Sequence, residues 1–528
     1  MSHWLNGYIL SQYQEKLVAQ NKSMRTDRSE YFDPLYETIT LEQRGLPSRR
    51  TFLNDQQKDP LNPRDFVQTA EFARLAFLRQ AGLAWLVFPS ASHTRFAHSL
   101  GCWWLGRVAE TLIRVKSGPN DSEPLWIWLN NRHLREEFYL ALLFHDIGHG
   151  PLSHVLEHNE VFITGLGNIG ISEHDHEHRG AALIRGDEPI SSAWSTRAPH
   201  RYGEGVQTFE SIRRKLNELE GLVCLNAVCY LMTGDDRYLR ESSHQNKRDL
   251  PVVKELVSGV LDLDRLDHYA RDSYFSGLHQ VSMNLRGFLS NLRIIWDSAG
   301  ADERPLLSLT PEGASYAASL LFNKRLLVST MFRNSDSVSY HTMANSALTS
   351  HLHQWNGNPK LQGSKCLEVA LLDDEEFLQS ICTSLDPSAK YLAQRIRSMQ
   401  PYVLVRRHAN IDLGANIGRT KSRLQKFINS RTTREGPDFL LHCDKGFDKI
   451  SSTRSSRDWL DASYMVIETK GGNHVPLVKH PEFAADFKHL QESDRVKYLW
   501  IFARNDEVKD AALGDLDSVV KTVGAGSH

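Results

Sequence analysis

The stretch Leu142–His154, LLFHDIGHGPLSH, carries three histidines and one aspartate in thirteen residues. Neutral imidazoles and carboxylates at short range, with open positions for water and substrate, are what a hydrolytic metal centre requires. His145 and Asp146 are chain neighbours, so on a regular helix their side chains diverge by about 100°. They can share an ion only where the helix ends and turns into the Gly148 loop, and two further ligands must come from elsewhere. His98 by itself reads as a hydrogen-bonded surface or core histidine. It follows Arg95 by three residues, however, which puts an imidazole and a guanidinium on one helix face. In LDLDRLDHYARD, Asp264, His268, Arg271 and Asp272 stand at i, i+4, i+7 and i+8, while Leu263, Leu266 and Ala270 turn to the core. In isolation this is a solvated face with intrahelical ion pairs. On a helix that must be largely buried, the same charged, imidazole-bearing face asks for a site. HDHEH, from His174, is by itself a polar loop or a weak zinc candidate.

The elements that must position these groups are mostly helical. DFVQTAEFARLAFLRQAG spaces Phe66, Phe72, Leu75 and Leu78 at helical steps, with Gly82 as a stop. RFAHSLGCWWLGRVAETLIRVK predicts a helix with a stripe of Phe96, Leu100, Trp104, Val108 and Leu112, broken by SGPND from Ser117. LREEFYLALLFHDIG predicts a third helix, ending at Gly148. Residues 155–250 read as looser, and helical periodicity returns at VVKELVSGVLDLDRLDHYARDSYFSG and GASYAASLLFNKRLLVSTMF. Near the start, FDPLYETITLE alternates like a short strand or hairpin arm. Beyond about residue 400, YVLVRR, DFLLHC, SYMVIET and KYLWIFAR read as strands of a smaller α/β module. The expected fold is mainly α, a helical core with a smaller α/β C-terminal module. The expected division is an N-terminal segment with short strands (1–60), a catalytic core (61–345) and a C-terminal helical and α/β region (346–528), regulatory or oligomerising.

At 528 residues, 41% hydrophobic and 24% charged, the chain can bury a large core. A net charge of -2 gives no global field toward nucleic acid or membrane, so any anion site must be local. The six scattered cysteines form no C-x-x-C pair, which disfavours a disulfide framework or a cysteine zinc site and fits a reducing compartment. The N-terminus does not read as a signal peptide, and GLVCLNAVCYLM is too short to span a bilayer. A cytoplasmic protein without a membrane partner is expected.

Taken together, the ordered stretches FARLAFLRQAGLAWLVFPSASHTRFAHSLG, LLFHDIGHGPLSHVLE, HEHRGAAL and GVLDLDRLDHYARDSYFSG resemble the HD-domain dNTP triphosphohydrolases. These include the bacterial dGTP triphosphohydrolases and, more closely, the animal HD-domain dNTPases that also carry a sterile-alpha-motif domain. LLDDEEFLQSI and DPSAKYLAQRIRSMQPYVLVRR match more faintly, and the resemblance covers roughly residues 32–407. It implies an HD-domain helical core and hydrolysis of a dNTP to deoxynucleoside and inorganic triphosphate. Its implied metal ligands are His98, His145, Asp146 and Asp264, for Fe, Mn, Zn, Ni or Mg, with a second Mg accompanying the substrate phosphates. His149, His154, Glu157 and His176 would form the catalytic group around the α-phosphate, with His154, His176 and Glu157 as acid–base candidates. Arg95, Arg265 and Arg325 would clasp phosphates. Gln80 and Asp272 would hold the sugar 3′-hydroxyl. His268 stands where the animal members carry a tyrosine under the sugar, and Ala81 where they carry a larger aliphatic residue. The resemblance also implies a homo-oligomer and a nucleotide effector.

Two other readings keep the fold. One is an HD phosphodiesterase acting on oligonucleotides or cyclic dinucleotides. His149 stands where the cyclic-dinucleotide branch carries lysine, and the stringent-response pattern H-D-x-x-E-D is absent from the sequence. The other is a catalytically silent nucleotide sensor, against which every filled ligand position counts. Between Arg406 and Glu435 eight Arg/Lys face two acidic residues. This reads first as a solvated basic surface, and otherwise as an anion site for an effector nucleotide, nucleic acid or protein partner.

Overall fold

The computed structural model describes residues 30–40, 63–116, 122–172, 175–203, 206–218, 223–259, 261–278, 284–297, 304–409, 417–433, 436–443, 465–468, 474–476 and 498–524. The SGPND break, the N-terminal stretch, His174 and parts of the basic segment lie outside them. A first compact unit, residues 1–68, contains the antiparallel hairpin β1 (Glu30–Asp33) and β2 (Glu37–Thr40), where the alternation predicts a short strand or hairpin arm, and the short helix Pro63–Val67. Asp33 Oδ1 accepts the N–H groups of Leu35 at 2.9 Å and Tyr36 at 3.3 Å, the side-chain mimicry that lets Asp open a turn.

The second unit, residues 69–528, is mainly helical. Its site is carried by α1 (Arg95–Leu112), α2 (Arg135–Phe144), α3 (His176–Arg185) and α4 (Leu263–Phe275). α1, α3 and α4 each begin at a side-chain cap, whereas α2 has none. Thr94, Asp175 and Asp262 accept a backbone N–H from the first turns of α1, α3 and α4 respectively. α2 is the apolar spine: Phe138, Ala141, Leu142, Leu143 and Phe144 are all buried. α1 packs on α2 and α4. Gly101 permits the second contact, since a Cβ there would lie 2.2 Å from Asp267 Oδ1 on α4.

Several expectations are corrected. The stripe assigned to α1 is mostly half-buried, and the buried face instead holds His98, Cys102, Leu105 and Ala109, because the helix is wedged between two neighbours rather than laid on one. The helix expected up to Gly82 is interrupted: Thr69 caps a new helix at Ala70–Arg74, which gives way to a 3-10 turn at Leu75–Phe77. The described residues of 155–250 are not loose. They form Glu160–Gly167, α3, Ile190–Tyr202, Phe209–Glu218, Leu225–Thr233 and Asp236–Glu241. A readable signal lies in caps such as Asn159 and Asp235.

The four strands expected after residue 400 form, but not in one sheet. β7 (Val403–Ala409), β8 (Phe439–Cys443) and β11 (Tyr498–Ala503) make an antiparallel sheet in the order β7-β11-β8. Leu499, Ile501 and Ala503 share a core with Leu424, Ile428, Ala512 and Leu516 of two covering helices, Ile417–Asn429 and Asp506–Gly524. β9 (Met465–Glu468) instead pairs in parallel with β6 (Arg304–Leu309), within the sheet β10-β9-β6-β5-β3-β4. There β3 is Arg114–Lys116, β4 Ser122–Pro124, β5 Leu292–Asp297 and β10 His474–Pro476. The division expected at 345/346 falls inside one continuous helix, Ser335–His353. Among the described residues no helix is long and apolar enough to cross a membrane.

Candidate functional site

Four residues from three helices converge. His98 Nε2 lies 3.1 Å from His145 Nε2 and 3.0 Å from Asp264 Oδ1, and His145 Nε2 lies 3.6 Å from Asp264 Oδ1. Asp146 closes the group, with Oδ1 3.8 Å from His145 Nε2 and Oδ2 3.9 Å from His98 Nε2. Ligands about 2.0–2.1 Å from one ion stand apart by comparable distances.

The protons point to a cation. His98 Nδ1 is held by Asp267 Oδ2 at 2.7 Å, and His145 Nδ1 by the Leu142 carbonyl at 2.9 Å. Each acceptor takes the Nδ1 proton, so both Nε2 atoms present lone pairs to one another, an arrangement that only a proton or a cation relieves. Burial opposes charge on His98, yet the Asp264 and Asp267 carboxylates outweigh it and hold its pKa well above the usual imidazole value. Burial would likewise protonate Asp146, but the Arg95 guanidinium and the imidazoles of His145, His98 and His176 keep it well below the ordinary carboxylate range. The residues therefore fit a divalent ion. His98, His145 and Asp146 are enclosed, while the Asp264 side chain is 31% exposed and marks the open side. Cys102, one turn on from His98, places its sulfur 3.7 Å from Nε2, but burial holds it as the thiol.

Asp146 also joins this cluster to the second group. Its Oδ1 is 3.7 Å from His149 Nε2 and 3.8 Å from His176 Nε2. Glu157 bridges the remaining imidazoles: Oε2 meets His154 Nδ1 at 2.8 Å, and Oε1 meets His176 Nδ1 at 2.6 Å. The carboxylate accepts from Nδ1 of each ring, which fixes that nitrogen as the donor. His149 stacks on His176 with ring centroids 3.9 Å apart, and both of its nitrogens are buried without a hydrogen-bond partner. Burial, reinforced by Arg95, keeps His149 neutral, with its pKa well below the usual value. The close approach requires Gly148, because a Cβ there would lie 2.2 Å from the His176 carbonyl oxygen.

Arg95 is buried at the centre, bonding Asp146 Oδ2 at 2.5 Å and Ser153 Oγ at 2.7 Å. Of the residues expected to hold the sugar, Asp272 lies between two imidazoles, His93 Nε2 at 2.6 Å and His268 Nε2 at 2.8 Å. Gln80 is buried and its Oε1 has no hydrogen-bond partner. Two of the arginines are placed differently from the rest. Arg265 turns back onto Asp262 and the Gly259 carbonyl. Arg325 is exposed on α5 (Pro311–Leu327), while the neighbouring Lys324 is the buried cation of that helix.

The charged face of α4 is open only at Asp264 and His268: Asp267, Arg271 and Asp272 are fully buried, and Arg271 grips Asp267 through two bonds at 2.9 Å. Sequence reasoning missed Asp267, His93 and Ser153. It also missed Arg74 and Arg179, two buried guanidiniums that hold the carbonyls of Ile147, Gly148 and His149 beneath the site. The available signal was an arginine set among small or apolar residues, in FARLAF and HEHRGAAL.

No family model matches the chain. A putative HD domain-containing protein of Acanthamoeba polyphaga mimivirus is 35% identical over 118 residues, 21% of this chain and 24% of that protein. The deoxynucleoside triphosphate triphosphohydrolase SAMHD1 of Bos taurus is 38% identical over 239 residues, 43% of this chain and 35% of that protein. The chain thus matches well under half the length of either relative. In fold, a phosphohydrolase from Bacteroides thetaiotaomicron superposes with a TM-score of 0.55 at 21% identity, covering 90% of this chain and 100% of that one. Over these stretches the chain is similar to an HD domain-containing protein and to a deoxynucleoside triphosphate triphosphohydrolase, and it carries a cluster of two histidines and two aspartates.

Proposed function

We propose that the protein is a metal-dependent phosphohydrolase that converts deoxynucleoside triphosphates to deoxynucleoside and inorganic triphosphate. The observation that carries this reading is the convergence of His98, His145, Asp146 and Asp264 with both imidazole lone pairs turned inward. The similarity to the bovine deoxynucleoside triphosphate triphosphohydrolase supports the substrate class. A divalent ion held by these four residues would supply Lewis acidity toward the phosphate and lower the pKa of water.

The remaining chemistry belongs to the chain. Arg95 presents a guanidinium to the phosphates and is kept in place by Asp146 and Ser153. Water adds to the α-phosphorus as the bond to the 5′-oxygen breaks. The departing 5′-oxygen takes a proton from the His154–Glu157–His176 set, in which Glu157 fixes which nitrogen of each ring faces the substrate. Gln80 and Asp272 bind the sugar 3′-hydroxyl, and the unpartnered Gln80 Oε1 is free to accept it.

The test is product analysis with each dNTP and NTP, singly and in mixtures, and with a short oligonucleotide, with Mn and with Mg. Inorganic triphosphate is the expected product. Mononucleotides released from oligonucleotides would establish a phosphodiesterase instead, and no turnover in any mixture would establish a sensor.

A further inference from the structure

Between His149 and His154 the chain passes through two consecutive residues in the left-handed region, Leu152 at φ 54° and Ser153 at φ 61°. Neither is glycine. Such a conformation is unfavourable for an L-residue and persists only where the surroundings impose it, most often at functional sites. One carboxylate does much of the imposing. Asp374 opens α7 (Asp374–Cys382, with α6 given to Ser335–His353) and is 3% exposed. Its Oδ1 accepts the Leu152 N–H at 2.7 Å and its Oδ2 the Arg79 N–H at 2.9 Å.

Both tied segments feed the site. Ser153 Oγ accepts from Arg95, and His154 follows it. Arg79 precedes Gln80, and Gly82 backs onto the Leu152 carbonyl, where a Cβ would lie 3.1 Å from the oxygen. The start of α7 is itself anchored, since Asp373 and Glu376 form a capping box and pair with Arg201 and Arg197 of the helix Ile190–Tyr202. Asp374 takes no part in those pairs. It faces the other way, and its two oxygens meet two backbone donors from segments 73 residues apart in sequence.

We propose that Asp374 is a positioning residue: it holds the left-handed 152–153 turn in register with segment 79–82 and thereby sets Arg95 and His154 against the substrate. This rests on the reaction assigned above. A carboxamide cannot replace the carboxylate, because it accepts on one atom only and opposes its own N–H groups to the second backbone donor.

The experiment compares the metal-loaded full chain with Asp374→Asn and Asp374→Ala. Amide hydrogen exchange, metal content and steady-state kinetics are read on all three. Exchange should quicken in the peptides covering 78–82 and 149–158, with α2 and α4 as protected as in the parent and the metal content unchanged. Turnover should fall in kcat on the order of 10²-fold, as expected of a misplaced catalytic group, with KM within about threefold. Unchanged kcat in a folded variant, or faster exchange spread over the whole chain, would overturn the proposal. If the parent hydrolyses no nucleotide, the assigned reaction fails, and exchange alone decides: unaltered exchange in the two segments overturns the positioning.

Discussion

His98 and Asp267, 169 positions apart, share a hydrogen bond of 2.7 Å in which the carboxylate takes the Nδ1 proton and so turns Nε2 to the metal centre. Arg271 clamps the same carboxylate from one helical turn away, and Asp267 is held well below the ordinary carboxylate range: burial opposes ionisation, and Arg271 and His98 outweigh it. Outer partners of this kind typically contribute about 10–100-fold in metal affinity. Asp267→Asn should therefore weaken binding of Mn or Zn by about that factor while the helical far-UV spectrum persists. Isothermal titration of the stripped protein checks it, and parental affinity would remove the orienting role.

Asp146 touches both clusters and pairs with Arg95, so its loss should exceed the effect of any outer partner. Asp146→Asn is expected to abolish triphosphate release and to lower the bound metal, with the fold intact. Elemental analysis and circular dichroism on the same sample check both halves. Sustained turnover by a folded Asp146→Asn protein would disprove the site.

Arg95→Ala removes two bonds, one of them charge-assisted, and leaves Asp146 short of a partner. With a bond to a charged group contributing about 1.5–3 kcal/mol, kcat/KM should fall on the order of 10²-fold. Arg95→Lys restores the charge but not the fork that spans Asp146 and Ser153, and should recover only part of the loss. Steady-state kinetics on the two variants decide it, and equal recovery by lysine would show that charge alone matters.

Away from the site, Glu137 on α2 is 1% exposed, accepts the Cys224 N–H on Oε1 at 3.0 Å and leaves Oε2 without a partner. Burial pushes its carboxyl from 4.5 up to about 8. An acid with a raised folded pKa holds its proton more tightly in the folded state. Its stabilisation is therefore complete below about pH 4.5 and is lost as pH rises toward 8. Glu137→Gln should flatten that decline, with the variant overtaking the parent by on the order of a few kcal/mol near pH 8. Urea unfolding at pH 5 and pH 8 measures it, and identical slopes for the two proteins would show that Glu137 does not carry the dependence.

Much of the site was legible because its chemistry is concentrated in few residues. Imidazoles and carboxylates at His98, His145, Asp146 and Asp264 have few other uses on apolar helices, and the His145–Asp146 pair needed a helix end, which Gly148 and Pro151 announce. The α2 spine, the first hairpin and the four late strands follow from periodicity, a local property of the chain.

What the tertiary structure decided is relational. Whether the polar side of α4 faces water or the interior depends on α1 lying against it through Gly101, and only then do Asp267 and Arg271 become a buried pair. A single residue step on a helix turns a side chain by about 100°, which separates buried Lys324 from exposed Arg325 although both are cations in one motif. β9 follows β8 in the chain yet pairs with β6, since a strand joins whichever edge offers its hydrogen bonds. Asp374 gained its place through two backbone donors hundreds of residues upstream. Side-chain type is written residue by residue, whereas burial, register and partnership arise only when distant segments meet and exclude water.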